Sequence, residues 1–395
     1  MAHKPAALIL LPEAPYPAAG GGALRTASMV EYLGRRYDLD AVVFREQGAP
    51  DPRAPRLREL ARRIHVVELP FHPRDQWSRT LRNLVRLGRG VPPLFERFSG
   101  FEERIAPFLE GRRYEVVVAE HFWCASYAPM LRRVAGRLVA DLHNVESVLH
   151  ARCAASEGRL VRWLHRSFAR ACRRLEARWL PCFDILLVAS QADAAQLGHA
   201  QVEDRTHVYP NVIPFQPLPA RTRGEVVALS GNLEYHPNVT SVKYFRAKIW
   251  PVLRHRWPRL VWRLVGKNPE AVRRYVRDDP RIELTGPVED AVAELGAAKV
   301  AVVPLLAGSG TRLKVLEAWA AGTPVVSTPI GAEGLPARDG EHILVAGTAA
   351  EFADCVSALL GSEALRETIG SGGRRLYAQQ FTWEAGWKNL TNLGF

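Results

Sequence analysis

AVVPLLAGSGTRLKVLEAWAAGTPVVSTPIGAEGL, residues Ala301 to Leu335, is the stretch whose reading decides the fold. An apolar strand from Val300 to Pro304 runs into the small residues Gly308, Ser309 and Gly310. A short helix from Thr311 to Ala321 follows, and Gly322 and Pro324 lead into a second apolar strand, Pro324 to Thr328. Strand, bare turn and helix together form an anion site, because the first N–H groups of a helix have no partner within it and lie at the positive end of its dipole. Arg312 and Lys314 add cations beside that point, and Glu317 offers a carboxylate to sugar or ribose hydroxyls. Phosphate and polyol in one place suggest a nucleotide sugar. The plainer reading is that such a unit recurs in every parallel α/β protein and that Lys314 and Glu317 are its solvated face.

The chain has 395 residues, 47% hydrophobic and 24% charged, which makes it globular and too long for one ordinary core; two domains of roughly 150 to 200 residues fit. Its 53 Lys and Arg against 41 Asp and Glu give +12, a balance that favours anionic partners. The five cysteines, at 124, 153, 172, 182 and 355, are scattered without a C-x-x-C pair, which points to a reducing compartment. Pro12 and Glu13 end the first apolar run too early for a signal peptide, and no later run approaches the roughly 18 apolar residues of a membrane span. The expected location is cytoplasmic, with peripheral contact at the inner face of a membrane as a further expectation.

Apolar strands at Ala6 to Leu11, Leu39 to Phe44, Ile64 to Leu69, Tyr114 to Ala119, Leu138 to Leu142 and Phe183 to Ala189 alternate with helices, the pattern of a parallel sheet covered on both faces. A second series, Val226 to Ser230, Val261 to Val265, Ile282 to Leu284 and the two strands above, follows the proline-rich stretch Val208 to Pro219. The expected organisation is two Rossmann-like α/β domains, 1–207 (with a terminal helix in 378–395 packing back on it) and 208–377, facing each other across a cleft.

Ligands of such sheets lie at the carboxyl ends of strands. Glycines follow the first strand of each series, at Gly20 to Gly22 and at Gly231 with Asn232. Gly20 and Gly22 begin a G-x-G-x-x-G match, but its last position is Arg25, so a dinucleotide fingerprint is weakly supported. Glu120 and His121 follow one strand, and His143, Asn144 and Glu146 another; a histidine there can donate to a hydroxyl and stabilise developing charge. Asp38 and Asp40 form a D-x-D pair but start a strand, the wrong end for a site. From Arg159 to Leu180, an amphipathic helix sets Leu160, Leu164, Phe168, Ala171, Leu175 and Trp179 against Arg162, Arg166, Arg170 and Arg173. It reads either as a domain helix with a solvated basic face or as a surface for anionic membrane and a lipid-linked acceptor.

Gly308 to Leu335, SGNLEYHPN at Ser230 to Asn238 and ADLHNVES at Ala140 to Ser147 resemble glycosyltransferase family 4, the GT-B group that transfers sugars from nucleotide donors with retention. The resemblance covers nearly the whole chain. It implies a C-terminal domain that holds the nucleotide and a last helix that returns to the N-terminal one. By that resemblance Glu317 holds the donor ribose, and Arg312 and Lys314 lie near the diphosphate with Gly231, Asn232, Gly308, Ser309, Gly310 and Thr311. His143 lies near the donor sugar, and Gly21 and Gly22 near the reacting centre. No metal or other cofactor is expected. The acceptor is unknown, with cell-surface polysaccharide or glycolipid synthesis as the expected setting. Two departures stand out: Ser309 replaces the first glutamate of the family's E-x7-E motif, and Asn232 and His236 to Asn238 stand where the usual Arg and Lys follow the first C-terminal strand. The rival classes are a nucleotide-sugar epimerase and a non-catalytic basic protein for membrane or nucleic acid. No recognised nucleic-acid module is present, so nucleic acid is not an expected partner.

Overall fold

The computed structural model describes residues 4–18, 21–71, 76–156, 158–220, 223–307 and 312–395. The chain divides into two compact units, Met1–Pro210 with Asn389–Phe395, and Asn211–Lys388. Each is built on a fully parallel sheet.

Unit 1 carries β1 (Ala6–Leu11), β2 (Asp38–Glu46), β3 (Ala61–Leu69), β4 (Tyr114–Glu120), β5 (Ala135–Leu142), β6 (Ile185–Val188) and β7 (Thr206–Val208) in the order β3-β2-β1-β4-β5-β6-β7. Every neighbouring pair is parallel. β1 is almost wholly buried, as its run AALILL requires of a strand covered on both faces. The order reverses direction between β1 and β4, and there the connections leave to opposite faces and open a crevice at the strand ends. Helix α1 (Gly21–Arg36) follows β1 into that place, so Gly21 and Gly22 already belong to its first turn. Helix α2 (Gln76–Arg89) follows β3, and the helices α3 (Glu146–Ser156) and α4 (Arg159–Trp179) form a packed pair after β5.

α4 places Phe168, Ala171 and Cys172 in the interior and packs Leu175 and Trp179 against the unit's core. The C-terminal part of its apolar stripe is therefore occupied by the fold. Its one carboxylate is structural too: Glu176 accepts from the Ser147 N–H at 2.9 Å and meets His199 Nε2 at 2.9 Å. Asp40, at the start of β2, accepts from Tyr114 Oη at 2.8 Å and from Arg63 at 3.2 Å, a fixed structural role far from the strand ends that carry sites.

Unit 2 carries β8 (Gly224–Ser230), β9 (Val261–Val265), β10 (Ile282–Gly286), β11 (Ala298–Val303), β12 (Val325–Ser327) and β13 (Leu344–Val345) in the order β10-β9-β8-β11-β12-β13, again parallel throughout. Its reversal lies between β8 and β11. Helix α5 (His236–Tyr244) follows β8, and α6 (Leu313–Ala320) follows β11. His236 to Asn238 form the first turn of α5. Of the helix expected from Thr311 to Ala321, Leu313 to Ala320 is helical, and Thr311 lies outside the described residues together with Gly308, Ser309 and Gly310.

Helix α7 (Glu363–Gln380) packs on α6. Trp319 of α6 is fully buried and donates its indole N–H to the His342 carbonyl at 2.9 Å. A Cβ at Gly373 would stand 2.2 Å from Trp319 Cδ1, so only glycine lets α7 lie this close to the helix that carries Lys314 and Glu317. The last helix, α8 (Trp383–Asn392), is capped by Thr382, whose hydroxyl accepts from Ala385 N–H at 3.2 Å. The chain then ends in unit 1, where Arg137 donates to the Leu393 and Gly394 carbonyls at 2.9 Å each.

Gly373→Ala overpacks the α6–α7 contact. Thermal or urea unfolding should show a loss of about 1–3 kcal/mol, the range for methyl insertion into a close-packed interior. Wild-type stability in that variant would mean that the two helices do not touch at this point.

Candidate functional site

The loop after β8 is a backbone junction. Gly231 N–H donates to the Val265 carbonyl at 2.9 Å and Leu233 N–H to the Lys267 carbonyl at 3.0 Å, which ties the ends of β8 and β9 together. A Cβ at Gly266 would lie 1.9 Å from the Gly231 oxygen, so this approach needs glycine, and both residues sit at positive φ, 139° and 142°. Asn232 accepts from Asn268 Nδ2 at 2.9 Å, and its carbonyl accepts from Asn238 Nδ2 at 2.7 Å.

α6 meets this junction from the other side of the reversal. Ser230, at the end of β8, donates its hydroxyl to Glu317 Oε2 at 3.0 Å, and Lys314 Nζ donates to Asn238 Oδ1 at 2.5 Å. Lys314 and Glu317 are one helical turn apart and so share a face. Burial pushes the Lys314 ammonium down to about 8, with Arg312 adding repulsion and Glu317 opposing it. Burial likewise raises the Glu317 carboxyl, against the Ser230 hydrogen bond and Lys314. No side chain caps the start of α6 among the described residues, and its first turn holds no acid. Arg312 is buried, donates to the Ile330 carbonyl at 3.1 Å and pairs with Glu333 at 3.4 Å. The structure thus brings together Gly231, Asn232, Lys314 and Glu317, to which it adds Ser230 and Asn238. Gly308, Ser309, Gly310 and Thr311 precede this group in the chain, outside the described residues.

The corresponding place in unit 1 holds a buried charge cluster. Arg25, on the second turn of α1, pairs with Asp141 through Nε at 2.9 Å and Nη2 at 2.5 Å, and its Nη1 donates to the Tyr209 carbonyl at 2.6 Å. Thr26 donates to Glu120 Oε2 at 3.0 Å, and His143 Nε2 lies 2.7 Å from the same oxygen. The imidazoles of His121 and His143 stack at 3.5 Å between centroids, with Trp123 4.1 Å beyond His121. A Cβ at Gly22 would meet His143 Nδ1 at 3.7 Å and His121 Nε2 at 3.9 Å, so the first turn of α1 faces both rings.

Burial governs protonation here. It pushes the Glu120 carboxyl up to about 7, against Arg25 and the Thr26 hydrogen bond, and pulls His143 down to about 3. Burial, His143 and Arg25 hold His121 well below its ordinary value. Glu120 Oε1 is buried and has no partner among the described residues, which suits a neutral carboxyl and would be costly for a carboxylate. Glu146, the other acid beyond β5, is also raised to about 7 by burial and accepts from the Trp123 indole at 3.1 Å. Glu120, Asp141 and His143 offer three donor atoms within 4.8 Å of one another, the spacing of a metal site. The Arg25 guanidinium already stands as the cation of that group. Sequence reasoning missed Arg25 and Asp141; the available signal was an arginine in the place of a small residue in the G-x-G-x-x pattern.

Residues 224–362 match the family Glycosyl transferases group 1. The phosphatidyl-myo-inositol mannosyltransferase of Mycobacterium leprae is 36% identical over 106 residues, 26% of this chain and 28% of that protein. The MMP alpha-(1->4)-mannosyltransferase of Mycolicibacterium hassiacum is 26% identical over 372 residues, 88% of this chain and 87% of that one. Among solved structures, sucrose-phosphate synthase from Thermosynechococcus elongatus superposes with a TM-score of 0.73 at 19% identity, covering 99% and 98% of the two chains. HepE from Anabaena, in complex with UDP and glucose, gives 0.67 at 15% identity over 98% and 99%. These likenesses and the two parallel sheets give the chain the GT-B fold.

Glu120 and His143 affect stability with opposite signs. Glu120 holds its proton in the folded chain up to about 7, whereas an ordinary carboxyl releases it near 4.5, so its contribution falls as pH rises through that window. His143 opposes folding as pH drops from its ordinary 6.5 toward 3. The difference in unfolding free energy between wild type and Glu120→Gln isolates the first. It should fall by up to about 1.4 kcal/mol per pH unit across that window in urea melts. A difference that stays flat would show that Glu120 is ionised throughout.

Proposed function

We propose that this chain, a glycosyltransferase of GT-B fold, moves a sugar from a nucleoside-diphosphate donor to an acceptor hydroxyl with retention of anomeric configuration, and that unit 2 binds the donor. The observation that carries the reading is the Ser230–Glu317 and Lys314–Asn238 clasp at the reversal of the second sheet. It sets an ammonium and a carboxylate one helical turn apart, beside a glycine junction and the start of α6.

Each part has a task. Lys314 and the first N–H groups of α6 take the diphosphate, and Gly308 and Gly310, which precede the helix in sequence, have no side chain to obstruct it. Glu317, held by Ser230 through one oxygen, keeps lone pairs for the ribose hydroxyls. Arg312 lies close enough to lower Lys314, and in this reading it adds positive potential rather than a direct contact. In unit 1, burial keeps His143 neutral, so the imidazole can hydrogen-bond a sugar hydroxyl without a fixed charge. Gly21 and Gly22 leave the backbone beside it uncovered.

With Ser309 in place of the first motif glutamate, a front-face displacement follows more directly than a covalent glycosyl-enzyme. The bond from the anomeric carbon to the diphosphate oxygen breaks as the acceptor oxygen bonds to that carbon from the same face. The departing diphosphate takes the acceptor's proton, and the lysine and helix dipole stabilise its growing charge. Positive charge is supplied by side chains throughout, and the reading uses no metal. The names of the two relatives favour a hexose donor, and that of the Mycobacterium leprae protein agrees with a lipid-linked acceptor.

Glu317→Ala should lower kcat/KM for the donor by about 100-fold or more, with donor hydrolysis and sugar transfer falling together. Wild-type-like turnover in this variant would remove the assignment. Because the Lys314 ammonium is the binding form, kcat/KM for the donor should fall as pH rises past about 8. Incubation with donor alone, followed by NMR of the sugar, should show no epimer.

A further inference from the structure

Among the described residues of α2, the side chains at 77, 81 and 85 repeat every four positions and so lie along one face. That face is apolar and uncovered: Trp77 is 87% exposed, Leu81 65% and Val85 45%. The other side anchors the helix, since buried Arg86 pairs with Glu96. The helix sequence has four arginines and no acid.

At its end α2 reaches α4, where a Cβ at Gly90 would stand 3.0 Å from Arg174 Nη2. α4 contributes seven more arginines against the single, buried Glu176. Arg162, Arg166 and Arg170 repeat at four-residue spacing along one face of the helix. They form one wall of a groove of about 540 Å³, with Ala151, Ala154 and Ala155 of α3 on the other. Small residues facing a row of guanidiniums leave room for phosphate groups. Trp163 of α4, 56% exposed, adds an aromatic to the one that α2 presents.

We propose that α2 and the arginine wall of α4 seat unit 1 on an anionic lipid bilayer. The Trp77–Leu81–Val85 stripe enters the boundary between headgroups and acyl chains, and the α3–α4 groove takes lipid phosphates. Charge selects this occupant. A second copy of the chain would set the same arginines against each other in a two-fold contact, and a nucleic acid would leave the aliphatic stripe in water. The apolar contact lies on α2, because Phe168, Ala171 and Cys172 of α4 are buried inside the fold. The proposal is independent of the donor chemistry assigned to unit 2.

The test is flotation of the full chain with vesicles of phosphatidylcholine alone and with about a third phosphatidylglycerol. Wild type should float with the anionic vesicles, with little on the neutral ones. The exposed-site variant Trp77→Ser/Leu81→Ser/Val85→Ser, checked for an unchanged melting temperature, should partition about tenfold less. Arg166→Glu/Arg170→Glu should fall by a similar factor, and raised salt should weaken wild type. The proposal is overturned if wild type ignores anionic vesicles, or if either variant binds them as wild type does. It is equally overturned if sedimentation shows a wild-type dimer that the triple variant dissolves without any vesicle binding, which would assign the face to a second copy.

Discussion

A hydroxyl at the end of a strand and a carboxylate on the helix beyond the neighbouring strand, Ser230 and Glu317, are held 3.0 Å apart, and the order of unit 2 converges on that contact. β8 and β11 adjoin at the place where the sheet reverses its winding, so the residues that follow them are brought together without either helix crossing the gap. The Gly231–Gly266 approach clears the floor, Asn238 holds Lys314, and α7 presses α6 into place through a glycine on Trp319. Removing side-chain bulk at two backbone positions is what lets two charged groups stand together half-buried. Their protonation then shifts in the direction burial dictates, Lys314 downward and Glu317 upward.

Unit 1 solves a related problem with opposite emphasis. The reversal between β1 and β4 is filled by protein charge: Arg25 and Asp141 form a bidentate pair inside the unit, and Glu120 and His143 share a short contact beside it. Arg25 and Asp141 compensate each other, while burial drives Glu120 and His143 toward neutrality. The result is a neutral imidazole beside Gly22, which suits hydrogen bonding to hydroxyls better than binding of an anion.

The apolar runs made the strands legible: β1 and β9 coincide with the stretches read from sequence, and the others differ by a few residues at their ends. Short β7 and β13 carry too few residues to leave a pattern and went unread. Lys314 and Glu317 were legible because helical spacing fixes their shared face. Asn238 as the partner of Lys314, and Asp141 as that of Arg25, were not, since those contacts join residues 76 and 116 positions apart and depend on strand order. The basic helix α4 was read correctly as amphipathic, yet a heptad pattern cannot tell whether its apolar stripe is covered. The structure buries Phe168, Ala171 and Cys172 of α4 and leaves Trp77, Leu81 and Val85 of α2 exposed.

The central claim is that the half-buried Lys314 holds a nucleoside diphosphate in unit 2. Calorimetric titration of UDP and of GDP into the wild-type chain and into Lys314→Ala tests it most directly. The account predicts that at least one of the two binds wild type and that the variant binds it tenfold or more weakly, with an unchanged preference for the base. Equal affinity in the two proteins, or no binding of either nucleotide to wild type, would contradict it.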